Sequence, residues 1–176
     1  MYFSDIINAA ISKDSDRPLM QKEIYAVGNS LQQYLEKYKR DIALPINYSE
    51  LFHYQYTNAI KDKNGKPTHW ENVIYEERLL QDLKPKLLAV FALLNHLPAA
   101  EIELLDIAAI DFCEFANSMP FRITVSKRHS NELDFFYIKT ADASRIYGLE
   151  LEQLLSPNNI VFYYHQNTLV ETHIDG

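Results

Sequence analysis

The chain has 176 residues, enough for one domain or one domain with a small appendage. Hydrophobic residues make up 47%, which excludes wholesale disorder, and a net charge of −7 disfavours nucleic acid as a partner. The single cysteine, Cys113, excludes an intramolecular disulfide, and its acidic neighbours Asp111 and Glu114 argue for a structural thiol rather than a nucleophile.

The amino terminus, Met1-Tyr2-Phe3-Ser4-Asp5, lacks the basic-then-apolar order of a secretory signal. The first dozen residues are read as a short helix. A longer one is predicted from Asp16-Arg17-Pro18, with an acceptor at the cap and proline in the first turn, to about Arg40. Ile24, Val27, Leu31, Tyr34, Leu35 and Tyr38 recur at three- and four-residue steps and form its expected buried stripe. The cluster Lys37-Tyr38-Lys39-Arg40 reads as the cationic end of that helix, favourable to its dipole.

Pro45 ends this region, and an aromatic, alternating stretch follows from Phe52 to Tyr75. Asn64-Gly65 in its middle predicts a tight turn and hence a β-hairpin. Tyr54, Tyr56, Trp70 and Tyr75 either pack one face on the helices or present a protein-binding surface.

Leu79 to Leu97 predicts a helix that Pro85 starts or kinks. Its run from Leu87 to Leu94 is apolar all round, so this is expected to be the central buried helix, with Leu88 and Phe91 both in the core. The same run falls short of the ~20 residues that span a bilayer. The expectation is a soluble, cytoplasmic protein without membrane contact.

Pro98 is read as the start of a further helix, with Glu101 and Glu103 at its positive end. Ile102, Leu105, Ala109, Phe112, Cys113 and Ala116 would be its inward face. On such a helix Asp106 and Asp111 do not share a side, which argues against paired carboxylates.

Beyond Pro120, Phe121 to Val125 and Leu133 to Ile138 read as strands. A helix is predicted from about Ala143 to Leu155, started by Asp142 and ended at Ser156-Pro157. Strands Ile160 to His165 and Thr168 to Ile174 close the chain around Gln166-Asn167. The fold class is therefore α+β. Residues 1–118 form a helical part with the hairpin at 52–75 inserted, and residues 119–176 a small antiparallel sheet with one packed helix.

No histidine or cysteine spacing matches a zinc site, and Asp62-Lys63-Asn64-Gly65 lacks the acidic ligands of a calcium loop, so no metal is expected. The order of the last elements, however, carries a pattern. Phe135-Phe136-Tyr137-Ile138 runs into Lys139, and a helix with Glu150 and Glu152 follows. Leu155-Ser156-Pro157-Asn158-Asn159-Ile160-Val161 leads into the last strands, and Leu169-Val170-Glu171 precedes Gly176.

Over about residues 120–176 this resembles the amino-terminal, small lobe of a protein kinase. The resemblance implies that Lys139 holds nucleotide phosphates, that Glu150 or Glu152 orients it, and that Glu171 lies at the hinge, with ATP as the ligand. Helix geometry leaves the choice of glutamate open. With Tyr147, Leu151, Leu154 and Leu155 turned to the core, Glu150 and Glu152 flank that face on opposite sides.

The loop from Ser126 to Glu132 has no glycine where kinases place a phosphate cover, and no catalytic aspartate or Asp-Phe-Gly follows in the chain. The expectation is a chain that is non-catalytic as given, a fragment or remnant that only a missing carboxy-terminal lobe would make a kinase. The alternative is an interaction module of inhibitor, immunity or adaptor type with no nucleotide site. Its acidic charge, with pI near 5.3, favours a protein partner of basic character.

Overall fold

The computed structural model describes residues 23–128, 130, 132–156 and 160–173. The helix expected in the first dozen residues, the Asp16-Arg17-Pro18 start and the Pro157-Asn158-Asn159 exit lie outside them. The fold is α+β. One antiparallel sheet of seven strands runs through it: β1 Tyr56–Lys61, β2 Pro67–Ile74, β3 Leu105–Phe112, β4 Phe121–Lys127, β5 Leu133–Thr140, β6 Phe162–His165 and β7 Thr168–Thr172. The spatial order is β1-β2-β3-β4-β5-β7-β6.

Among the described residues four helices accompany it: α1 Asn29–Lys37, α2 Glu77–Asn95, α3 Ala99–Ile102 and α4 Ala143–Leu155. A 3-10 turn, Tyr48–Phe52, precedes the first strand, with Asn47 and Glu50 closing a capping box at its start.

β3 corrects the expectation of a helix through Leu105 to Ala116. Only α3, a single turn, forms after Pro98. Leu105, Ile107, Ile110 and Phe112 all reach the core from β3. A bulge between Ile107 and Ala109 inserts one residue against β4, so the inward positions are spaced two, three and two apart. That spacing imitates a helical stripe. β3 also joins the hairpin to the carboxy-terminal strands in one sheet.

The hairpin forms as expected. Gly65 takes φ +79 at its tip, and the Asp62 carboxylate accepts from the backbone N–H groups of Asn64 and Lys66. Nothing crowds a Cβ placed there, so the backbone angle alone sets the cost of a side chain. Gly65→Ala is expected to destabilise by about 1 kcal/mol, read from the urea midpoint at unchanged slope.

α2 covers one face of the sheet. It runs through Pro85 as one helix, so proline neither starts it nor divides it. Its buried residues are Leu83, Leu87, Val90, Phe91, Ala92 and Leu94, whereas Leu88 is half-buried and Ala89 exposed. The expectation of burial all round is therefore corrected: a helix lying on a sheet keeps one side in water. The core beneath it holds Val73 of β2, Ile123 of β4, Phe136 and Ile138 of β5, and Val170 of β7. Tyr48 and Tyr75 are buried with their hydroxyls donating to the Met119 and Leu51 carbonyls.

A second core lies on the opposite face at the β7–β6 end. Leu31 and Leu35 of α1 meet Ile146 and Leu149 of α4 over Leu169, Phe162 and Tyr164. Within the described residues, the helix expected to run to about Arg40 spans Asn29–Lys37, and residues 23–28 before it are not helical. Gly28 is its N-cap, and the preceding chain instead lies against α4: Tyr25 N–H donates to the Asp142 carboxylate at 3.1 Å, and Ala143 N–H donates to the Tyr25 carbonyl at 2.9 Å. Tyr34 and Tyr38, expected in the buried stripe, are exposed.

α4 has the expected bounds and its Asp142 cap, but the opposite face is buried. Ala143, Ile146 and Leu149 point inward, and Tyr147, Leu151, Leu154 and Leu155 point to solvent. Beyond α1 the chain lies along the β6 edge. Tyr164 donates to the Arg40 carbonyl and accepts from Ile42 N–H, and this cover leaves β1 as the open edge among the described residues.

Candidate functional site

Because α4 and α1 pack over β6 and β7, the same face of β2 to β5 stays half-open. Strand register sets a row of directly opposed residues across it: Asn72, Asp111, Arg122, Tyr137 and Glu171, one from each of five neighbouring strands. Opposed side chains in an antiparallel sheet lie close enough to bond, so alternating polar types along such a row can satisfy one another.

They do. The Asp111 carboxylate is buried and accepts from the Asn72 amide at 3.0 Å and from Arg122 Nη2 at 2.7 Å. The Arg122 guanidinium lies 4.7 Å from the Trp70 ring centre and 5.8 Å from that of Phe135. A delocalised cation between two aromatic faces gains from both ring quadrupoles. Trp70 also approaches Tyr137, with ring centres 6.4 Å apart. The Tyr137 hydroxyl lies 2.9 Å from His173 Nδ1, and burial raises its pKa.

The row ends in a buried ion triad. Lys139 Nζ donates to Glu171 Oε1 at 2.5 Å, and Arg145 of α4 donates to both carboxylate oxygens, at 2.9 and 3.2 Å. Lys139 and Glu171 are almost wholly buried, whereas the Arg145 side chain is about two-fifths exposed. Burial holds the Lys139 ammonium below its ordinary range, and Glu171 opposes that shift. One carboxylate thus pairs with two cations and ties α4 to the sheet. The outer side of Arg145 borders a cavity of about 320 Å³ shared with Ser118, Asp142, Ser144 and Gly148.

Of the four residues singled out in the sequence, two meet: Lys139 and Glu171. Glu150 lies on the other flank of α4, where Arg40 Nε donates to it at 3.2 Å and the Tyr34 hydroxyl at 3.0 Å. Glu152 is half-buried on α4. Asp106 and Asp111, expected on a helix, lie on β3 and engage different cations, Lys84 and Arg122. Asp106 accepts from Lys84 of α2, and despite partial burial that bond lowers its pKa.

The aromatic hairpin divides its side chains. Tyr75 is in the core, Tyr54 packs against it, Trp70 joins the open face, and Tyr56 is exposed. Cys113 is buried. Among the described residues no group of His, Cys, Asp and Glu is placed to hold a metal, and no helix is long and apolar enough to cross a membrane.

The sequence did not reveal Asp111, Arg122 and Arg145 as parts of this site. Arg122 carried a signal, a lone charge between Phe121 and Ile123 inside a strand, but its partner depends on register. In class, then, this is an α+β protein with one seven-stranded antiparallel sheet, helices on both faces, and a polar-aromatic row on the half-open side. No family model, curated protein or solved structure matches the chain.

Proposed function

We propose that this chain is a non-catalytic, cytoplasmic recognition module: an acidic protein with a kinase-small-lobe-like segment that binds a protein partner through the half-open face of its sheet. The observation that carries this reading is the triad. Glu171 accepts from both Lys139 and Arg145, so the lysine is already held by a carboxylate inside the fold. Of the two helix glutamates that could orient such a lysine, Glu150 is engaged by Arg40 instead. Trp70, Phe135 and Tyr137, with Arg122, are half-buried on the same face, and aromatics with arginine are the residue types that dominate protein-binding hot spots.

Two experiments test it. With ATP and magnesium, no phosphate transfer and no ADP release are expected. Turnover that Lys139→Met abolishes would favour the reading in which this segment serves a nucleotide. That second reading is supported by the placement of Lys139 late in β5, with β4, β5, β7 and β6 in one antiparallel sheet and α4 against one face. For the partner, a photo-crosslinking residue at position 135 is expected to give one discrete protein adduct in the native cell, lost with Arg122→Ala. The same residue at Lys63, on the hairpin tip, is expected to give none. Equal labelling from both positions would contradict a binding face on the sheet.

A further inference from the structure

The outer side of α4 presents an apolar stripe of Tyr147, Leu151, Leu154 and Leu155, spaced at four, three and one residues. Tyr34 of α1 donates to Glu150, which lies on the flank of α4 beside Tyr147 and Leu154, and Tyr38 packs on Tyr34 with ring centres 4.5 Å apart. The stripe and the two tyrosines therefore form one surface, and these six residues are 38 to 81% exposed. At roughly 200 Å² per residue they offer about 700 Å², above the roughly 300–600 Å² of the largest patch on a typical monomer. It also approaches the about 800 Å² that each partner buries in a standard stable interface.

We infer that this surface is a homodimer interface, covered by the same surface of a second copy of the chain. The borders of the patch argue for a copy of itself. On the α1 side Lys37 lies over the Tyr38 ring, 5.2 Å from its centre. On the far side of the α4 stripe, at 100° per residue, the border residue is Glu152. A two-fold axis running between the helices lays α1 of one copy over α4 of the other. Leucines then meet tyrosines at the centre, and Lys37 meets the partner's Glu152 at each rim. An isologous interface needs this self-complementarity. It also offsets the mutual repulsion of two chains of charge −7, which an uncharged border would leave unopposed. The half-open face of the sheet remains free in this arrangement, so dimerisation and the proposed recognition are separate properties.

Sedimentation equilibrium of the full chain at about 50 μM, above the micromolar dissociation constant of even a weak interface of this size, is expected to give twice the 20.5 kDa chain mass. Leu151→Asp with Leu154→Asp is expected to halve that mass while leaving the far-ultraviolet circular dichroism unchanged, since both side chains are exposed in the protomer. Lys37→Glu should weaken the dimer, and adding Glu152→Lys should restore it. A monomeric parent chain, a dimer that survives the leucine substitutions, or a dimer indifferent to both charge reversals would overturn the inference.

Discussion

Glu171→Ala is expected to destabilise the protein by about 3 to 5 kcal/mol, because it leaves the buried Lys139 ammonium without its counter-charge. Arg145 can turn toward solvent through its exposed side; Lys139 cannot, since it is almost enclosed. The loss should depend on pH in a defined sense. Burial already holds the Lys139 pKa below its ordinary 10.5, and Glu171 is the group that pulls it back up. A cation with a folded pKa below its unfolded one contributes stability that is fully present above the unfolded value. That contribution is lost as pH falls through the folded pKa. Removing Glu171 widens this gap, so the variant's deficit against the parent should shrink as pH rises from neutral toward 10. Urea unfolding of both chains at neutral and alkaline pH checks this. A deficit that grows with pH would show that Lys139 is not what the carboxylate compensates.

The second large effect is expected at Phe91. Its ring is buried under α2 and lies 5.9 Å from that of Phe136, which the sheet encloses completely. Phe91→Ala should cost about 3 to 5 kcal/mol through lost transfer and the cavity left behind. Leu88→Ala, three residues earlier on the same helix, should cost clearly less, since Leu88 is only partly buried. The two melting temperatures therefore separate a helix lying on a sheet from one buried all round. Equal losses would mean that α2 has neighbours on both sides.

Much of the fold was legible where local chemistry fixes it. Asp142 marks the start of α4 because its carboxylate accepts from Ser144 N–H, and Asn64-Gly65 marks the hairpin because Gly65 adopts a positive φ there. β3 was not legible, since its bulge breaks strict alternation and turns period two into an apparent helical stripe. The buried face of α4 misled for another reason. Its exposed side, with Tyr147 and three leucines, is more apolar than the inward side of Ala143, Ile146 and Leu149. Hydropathy alone therefore selected the wrong face.

At the site, Lys139 and Glu171 could be named from the chain order of strand, helix and strand. Their direct pairing could not, because it depends on β5 and β7 becoming neighbours in the sheet. Arg145 and Arg122 were missed for the same reason: register and helix rotation decide which carboxylate each one meets.

In the proposed function Lys139 is held by Glu171 inside the fold rather than offered to a phosphate. Nuclear magnetic resonance of the isotopically labelled chain, titrated with magnesium ATP, tests this at the residues concerned. The expected result is that the Lys139, Arg145 and Glu171 resonances stay unshifted throughout the titration. Saturable shifts converging on Lys139 and Arg145, and absent in Lys139→Met, would contradict it.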